Sequence, residues 1–499
     1  MSALNPSNTT TNASVKVRSR FAPSPTGYLH IGNLRTALFT YLIAKKNQGT
    51  FILRIEDTDQ ARLVEDAVQV IYDSLKTTGL NWDEGPDVGG PFGPYIQSER
   101  KKIYAQYAEQ LIQSGHAYRC FCSKETLDEI RKQAESENAA IASYDGRCSR
   151  LTADEIQKNL KENKECVIRQ KINKEGSTTY HDVVYGDITI SNDQLDDQVL
   201  MKADGLPTYN FANVIDDHLM EITHVVRGVE YLNSTPKYVL LYKHFGWEVP
   251  VNIHLPHILG PSGKKLSKRD GAASLSDFIN KGYIPEAIVN YVALLGWSPG
   301  DNREFFTLKE LEECFDIARI NKASAIFDEK KLRFLNSQHL KSKSPEEFYN
   351  LAAAYFPENI KTKFDTKKIA LLIQNRVEAL VDIPEMISFL NEMPYPYDKS
   401  LFEHAKMKTT TANSLEVLKE FQTLLSSNAD LNKNWNHELI QNLMLNYATE
   451  KKLKNGQVMW PMRVALTGLA SSPGGASEVA EILGKEETLS RIQKSIELL

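Results

Sequence analysis

The apolar positions of this chain change their spacing several times, and each change marks an element. Residues 15–21, β-branched and basic, read as a first strand, after which Leu34, Ala37, Leu38, Tyr41 and Leu42 recur at helical spacing. Between them Pro23, Pro25, Gly27 and Gly32 make a stiff loop that permits close backbone approach, and His30 falls at the predicted helix N-terminus. The run Phe51-Ile52-Leu53-Arg54-Ile55 predicts a buried parallel strand, and it stops abruptly at Glu56-Asp57-Thr58-Asp59. Strand, loop, helix and buried strand in this order predict an open α/β sheet, whose ligands bind outside the carboxyl ends of its strands. Residues 123–165 are acidic and helical in pattern, and the sheet is expected to resume near Gln198-Val199-Leu200-Met201. From residue 341 onward, stripes such as Leu415, Leu418, Phe421, Leu425 and Val479, Ile482, Leu483 predict helices that close on a core.

Length and composition narrow the class. A chain of 499 residues is too long for one core and implies roughly three or four units. With 41% hydrophobic and 25% charged residues it is neither disordered nor fibrous, but globular. No apolar run approaches the roughly 18 residues of a membrane span, so no membrane partner is expected. Residues 1–14 are rich in Ser, Thr and Asn, without an apolar stretch or an arginine, which fits neither a secretory nor a mitochondrial leader. They read as a disordered tail, and the sequons at Asn12 and Asn233 as idle. Five cysteines, at 120, 122, 148, 166 and 314, suit a reduced compartment, and the expected location is the cytoplasm. The net charge of −5 offers no global attraction for nucleic acid, so such a partner must meet local basic patches.

Two segments carry the chemistry. A helix N-terminus bearing His30 presents unpaired N–H groups and partial positive charge, for which phosphate is the natural guest. Far along the chain, a loop bracketed by Gly260, Pro261, Gly263 and Gly271 crowds Lys264, Lys265, Lys268 and Arg269 together, which is costly unless an anion neutralises them. A triphosphate that loses pyrophosphate needs such charge on a loop able to close.

Arg20-Phe21-Ala22-Pro23-Ser24-Pro25-Thr26-Gly27, His30-Ile31-Gly32-Asn33, Arg54-Ile55-Glu56-Asp57-Thr58-Asp59, the stretch from Leu206-Pro207-Thr208-Tyr209 to Asp216-Asp217-His218, and Lys265-Leu266-Ser267-Lys268-Arg269 resemble the bacterial glutamyl-tRNA synthetases, class I aminoacyl-tRNA synthetases of the glutamate type. The resemblance runs from residue 16 to the C-terminus. It implies a Rossmann-like catalytic domain in residues 16–112 and 198–270, an inserted domain in 113–197 that holds the tRNA acceptor end, a stem-contacting helical domain in 271–340, and an α-helical anticodon-binding domain in 341–499, behind the tail of residues 1–15. It also implies ATP-dependent formation of glutamyl-adenylate, transfer of the acyl group to the 3′-terminal adenosine of tRNA(Glu), magnesium with the triphosphate, activation that depends on bound tRNA, and a monomer. No side-chain nucleophile is required, because positioning and charge stabilisation suffice.

Carried over residue by residue, the resemblance puts His30, Asn33, Lys265, Ser267 and Lys268 at ATP, with His30, Lys265 and Lys268 as the catalytic set. Asn33 stands where the general class I motif has histidine; it can donate a hydrogen bond to phosphate but carries no charge. Arg20 and Arg227 are implied for the substrate carboxylates, Glu56 for its ammonium, and Ser24, Tyr209 and Asn213 for further contacts. Cys120, Cys122 and Cys148 match the zinc-binding cysteines of some relatives. Arg150 replaces a histidine found in others, which leaves Tyr144 as the fourth donor; the alternative is a set of inert core cysteines. Arg376 aligns with an arginine of enzymes that discriminate between tRNA(Glu) and tRNA(Gln). An enzyme charging both tRNAs, a glutaminyl or tRNA-modifying relative, an inactive tRNA-binding paralogue and a small-molecule nucleotidyltransferase stand as the other readings.

Overall fold

The computed structural model describes residues 16–27, 29–136, 144–266 and 274–499, so the expected tail lies outside the described residues. The chain divides into two compact units, one reaching to Asp277 and taking in Ile288–Asp328, the other made of Phe278–Ala287 and Glu329–Leu499. The expected stem-contact stretch, 271–340, is therefore shared between them.

The first unit begins with β1 (Arg18–Phe21), α1 (Ile31–Lys46) and β2 (Thr50–Leu53), the strand, helix and buried strand of the apolar pattern. Helix α1 starts where His30 caps it and packs on both strands. Gly49 makes the return to β2 possible, since a Cβ there would collide with the Val17 carbonyl oxygen. There follow α2 (Ala67–Thr77), α3 (Lys101–Gln113), β3 (Ala117–Cys120), α4 (Lys124–Ser136), α5 (Ala153–Lys161), β4 (Val167–Gln170), β5 (Ser177–Asp182), β6 (Gly186–Ser191), β7 (Val199–Met201), α6 (Tyr209–Leu219), β8 (His224–Gly228), α7 (Thr235–Phe245), β9 (Val251–Leu255) and β10 (Ile258–Leu259). The main sheet has the order β2-β1-β8-β9-β5-β6, parallel except for the final hairpin.

That order departs from the partition expected of the sheet. The hairpin β5–β6 lies inside the stretch 113–197 yet extends the main sheet through Asp182 beside Asn252. Conversely β7, expected to resume that sheet, pairs with β4 in a separate antiparallel sheet β3-β4-β7. The reason is visible in β5, where Thr178, Tyr180 and Asp182 are buried in strict alternation with exposed residues, giving one face that must be covered.

The second unit is helical, and among its described residues there is no β-strand. Its core gathers Phe348, Ile369, Ile373, Leu418, Phe421, Leu425, Val479 and Leu483, so the expected stripes do face inward, with Leu415 and Ile482 at their margins. No helix among the described residues is long and apolar enough to cross a membrane.

Candidate active site

The carboxyl ends of β1, β2, β8 and β9 surround a cavity of about 390 Å³, within the size range of small-molecule sites. It is lined by Arg20 and Ser24 after β1, by His30 and Asn33 at the start of α1, by Glu56 after β2, by Tyr209, by Arg227, and by Lys265. Eight of the residues expected from the sequence thus line one cavity. Ser267 and Lys268 lie outside the described residues.

His30 is the N-cap of α1, and its Nδ1 accepts from the backbone N–H groups of Gly32 at 3.2 Å and Asn33 at 3.4 Å. With Nδ1 engaged as acceptor, Nε2 is the donor of the neutral ring. Across the cavity Lys265 is presented by a hairpin: Gly260 donates to the Lys264 carbonyl at 2.8 Å, and Leu266 to the Ile258 carbonyl at 2.9 Å. The turn between requires a glycine, because Gly263 has φ +75°.

Under this rim lies a network of buried charge. Arg20 donates through Nε and Nη2 to the two oxygens of Asp217, at 2.9 and 3.2 Å, and Nη1 leans on the Val226 carbonyl at 3.5 Å. Arg54 donates to Asp217 at 2.8 Å and to Glu56 Oε1 at 3.0 Å. Asp216 accepts from Arg100 Nε at 2.7 Å, from Gln97 at 2.8 Å and from the Tyr104 hydroxyl. Arg227 donates to Asn213 Oδ1 at 2.6 Å, stands 3.6 Å from Asp217, and lies over the Tyr238 ring at 4.8 Å. Four guanidinium groups thus face three carboxylates, and one positive charge is left over in a buried layer. Its chemistry favours an anion arriving from the cavity.

Burial works against ionisation of Asp217, but Arg20 and Arg54 outweigh it and bring its carboxyl down to about 2. Glu56 shifts the other way: burial raises it, and Arg54 and Arg20 only partly compensate. Arg227 is only 6% exposed and its Nε meets no partner, an orphaned donor at the cavity wall. Asn213 does not line the cavity; it is fully buried behind Arg227, whose guanidinium it holds. Asp216, Asp217, Arg54 and Arg100 were not among the expected site residues. Their sequence signal is a charged residue set inside an apolar run, as Arg54 is, with a matching acidic pair elsewhere.

Two further sets lie apart from this cavity. The thiols of Cys120, Cys122 and Cys148 all fall within 4.8 Å of one another. The Tyr144 hydroxyl is 3.4 Å from Cys120 Sγ and 3.5 Å from Cys122 Sγ, and Arg169 lies over its ring at 4.1 Å. Cys122 and Cys148 Sγ are 3.5 Å apart, near the roughly 3.8 Å edge of a tetrahedron with zinc–sulfur bonds of about 2.3 Å. The neighbouring Cys148 thiol holds Cys120 well below the usual thiol range, and Cys148 rises in return. In the helical unit, Arg376 is exposed just beyond the helix Thr366–Ile373. Burial, with the charge of Arg376, lowers the pKa of Arg463, whose buried Nε has no partner.

Residues 16–334 match the family of class I tRNA synthetases (E and Q), catalytic domain, and residues 347–496 match an anticodon binding domain. The chain is 54% identical over 484 residues to the glutamate–tRNA ligase of Clostridium botulinum (strain Hall), covering 97% of this chain and 99% of that one. It is 53% identical to that of Clostridium tetani, covering 97% and 98%. A crystal structure of a glutamate tRNA ligase from Elizabethkingia meningosepticum in complex with its amino acid is similar at a TM-score of 0.84 and 39% identity, covering 97% of this chain and 99% of that chain. The glutamate-tRNA synthetase of Elizabethkingia anophelis gives 0.86 and 38%, covering 97% and 100%.

Proposed function

The chain belongs to the class I tRNA synthetases of the glutamate and glutamine type, and from that premise we propose that it ligates L-glutamate to tRNA(Glu) at the expense of ATP. The observation that carries the amino-acid assignment is the surplus positive charge beneath the cavity together with the orphaned Nε of Arg227. Glutamate brings two carboxylates and one ammonium, a net negative charge that this layer lacks. Arg227 and the remaining N–H donors of Arg20 take the carboxylates, Glu56 takes the ammonium, and Ser24 and Tyr209 complete the wall. Asn213 acts through Arg227.

The α-carboxylate of glutamate attacks the α-phosphorus of ATP and pyrophosphate departs; a ribose hydroxyl of the terminal adenosine then attacks the acyl carbon and AMP departs. His30, donating from Nε2, and Asn33 contact the phosphates at the α1 N-terminus, where the helix dipole adds to their effect. Lys265 in the hairpin and Ser267 and Lys268 in the stretch after it stabilise the leaving pyrophosphate. Magnesium, bound with the triphosphate, supplies further neutralisation of its charge.

The part of residues 113–197 outside the hairpin β5–β6 holds the tRNA acceptor end, 271–340 the stem and 341–499 the anticodon, with Arg376 as an anticodon contact that favours tRNA(Glu) over tRNA(Gln). Cys120, Cys122, Cys148 and Tyr144 hold a structural zinc ion, which would fasten the segment between β3 and β4. On this reading the enzyme acts as a monomer in the cytoplasm. The test is pyrophosphate exchange with glutamate and ATP, alone and with tRNA, followed by charging of purified tRNA(Glu) and tRNA(Gln). Exchange that requires glutamate and rises on adding tRNA is expected, with charging of tRNA(Glu) alone. Robust exchange without tRNA would remove the tRNA dependence, and equal charging of both tRNAs would remove the role of Arg376.

A further inference from the structure

Behind the cavity lies a second buried polar layer that the reaction itself does not require. Asp182, at the end of β5, is fully buried and its carboxylate receives four hydrogen bonds. Oδ1 accepts from the N–H groups of Val184 at 3.0 Å and Tyr185 at 2.9 Å, which closes the hairpin turn. Oδ2 accepts from the His254 backbone N–H at 3.0 Å and lies 2.7 Å from its ring Nδ1. The other ring nitrogen is 3.2 Å from the Thr235 hydroxyl, and that hydroxyl donates to the Tyr231 carbonyl at 2.9 Å. A second tether leaves the same strand, with the Tyr180 hydroxyl donating to the Leu232 carbonyl at 2.8 Å.

Both tethers end on the turn 229–232, whose Tyr231 lines the cavity with its ring 5.1 Å from that of Tyr209. Tyr209 opens α6, and its carbonyl accepts from the amide nitrogen of Asn213, the residue that holds Arg227. A series of contacts therefore runs from the β5–β6 hairpin to the guanidinium at the cavity wall, made of hydrogen bonds except where the rings of Tyr231 and Tyr209 pack against each other. Stability alone does not call for it, because a buried polar chain stabilises no more than well-packed apolar residues of the same volume. What it adds is fixed direction, since each hydrogen bond tolerates little misplacement in a low-dielectric layer.

We propose that the β5–β6 hairpin is a working part of the amino-acid site, with Asp182, His254, Thr235 and Tyr180 as positioning residues that set Tyr231 and Tyr209 against Arg227. The proposal rests on the reading of the cavity as the glutamate site. The hairpin thereby ties the amino-acid pocket to a segment lying between the two stretches of sequence that carry the nucleotide-binding residues.

The test uses full-length Thr235→Val and Tyr180→Phe, which remove one hydroxyl each with little change of shape, and Thr235→Ser, which keeps it. The apparent KM for glutamate and for ATP is measured by tRNA-supported pyrophosphate exchange, beside the melting temperature. Each hydroxyl loss is expected to raise the glutamate KM about tenfold and the ATP KM less than about twofold, while Thr235→Ser stays close to the parent. An equal rise in both KM values, or an unchanged glutamate KM with only a lower melting temperature, overturns the proposal. Absence of glutamate-dependent exchange in the parent protein would instead overturn the reading of the cavity, and the proposal with it.

Discussion

Arg227 Nη2 donates to Asn213 Oδ1 at 2.6 Å, while Arg227 Nε, equally buried, donates to nothing. Asn213 thus fixes the orientation of the guanidinium through one nitrogen while its Nε still lacks a partner, so the cation is oriented and not fully satisfied before any substrate arrives. Arg227→Ala should therefore raise the glutamate requirement far more than the ATP requirement, by about 2–4 kcal/mol in apparent binding free energy. Asn213→Ala should act in the same direction but more weakly, because the charge survives and only its orientation is lost. Steady-state kinetics in both substrates checks this; proportional changes in the two KM values would mean a folding defect.

The Glu56 carboxyl gives the amino-acid site a pH dependence. Burial raises its pKa above the ordinary value, against Arg54 and Arg20. As pH falls toward that raised value the carboxylate takes up a proton, and the substrate ammonium loses its counter-charge. The glutamate KM should thus rise on the acid side and be flat above it. In Glu56→Gln the KM should be high and the acid limb absent, and a limb that persists in this variant would assign the titration to another group.

If zinc sits among Cys120, Cys122, Cys148 and Tyr144, the purified protein should carry it stoichiometrically. Cys148→Ser should lower that content severely and Tyr144→Phe in part, whereas Cys166→Ser, outside the thiol cluster, should not change it. Atomic emission on dialysed protein decides the matter. A parent protein free of zinc would leave the three thiols as small packing residues, Cys122 only half-buried.

Much of the candidate site was legible because its residues stand in short segments of sequence. His30, Glu56 and Lys265 each stand at the end of a run whose pattern could be read locally, and the cavity joins them. The layer beneath was not legible in the same way. Asp217 meets Arg20 from 197 residues away and Asp182 meets His254 from 72, so no spacing announces either pair. The hairpin β5–β6 lies within the inserted segment in sequence, and only strand pairing shows that it extends the main sheet. Asn213 illustrates a subtler loss, since a motif reports that a residue matters but not whether it faces the ligand or the residue that does.

The helical unit offers a test of stability separate from catalysis. Arg491 is only 1% exposed, and its guanidinium reaches the ends of two helices: Nη1 donates to the carbonyls of Phe389 at 2.7 Å and Leu466 at 2.8 Å, and Nη2 to that of Leu390 at 3.2 Å. Its Nε donates to Glu487 at 2.8 Å. Carbonyls at helix C-termini have no intrahelical partner and carry partial negative charge, so one buried cation satisfies three of them at once. Arg491→Met keeps the apolar stem but strands all three, and should cost about 3–5 kcal/mol in chemical denaturation of this unit. Arg491→Lys, with a point charge in place of a planar fork, should recover less than half of the loss. At temperatures where the variants remain folded, glutamyl-adenylate formation should be retained, because the side chain meets neither substrate nor cavity. A Met variant as stable as the parent would show that these carbonyls find water instead and that the arginine is dispensable.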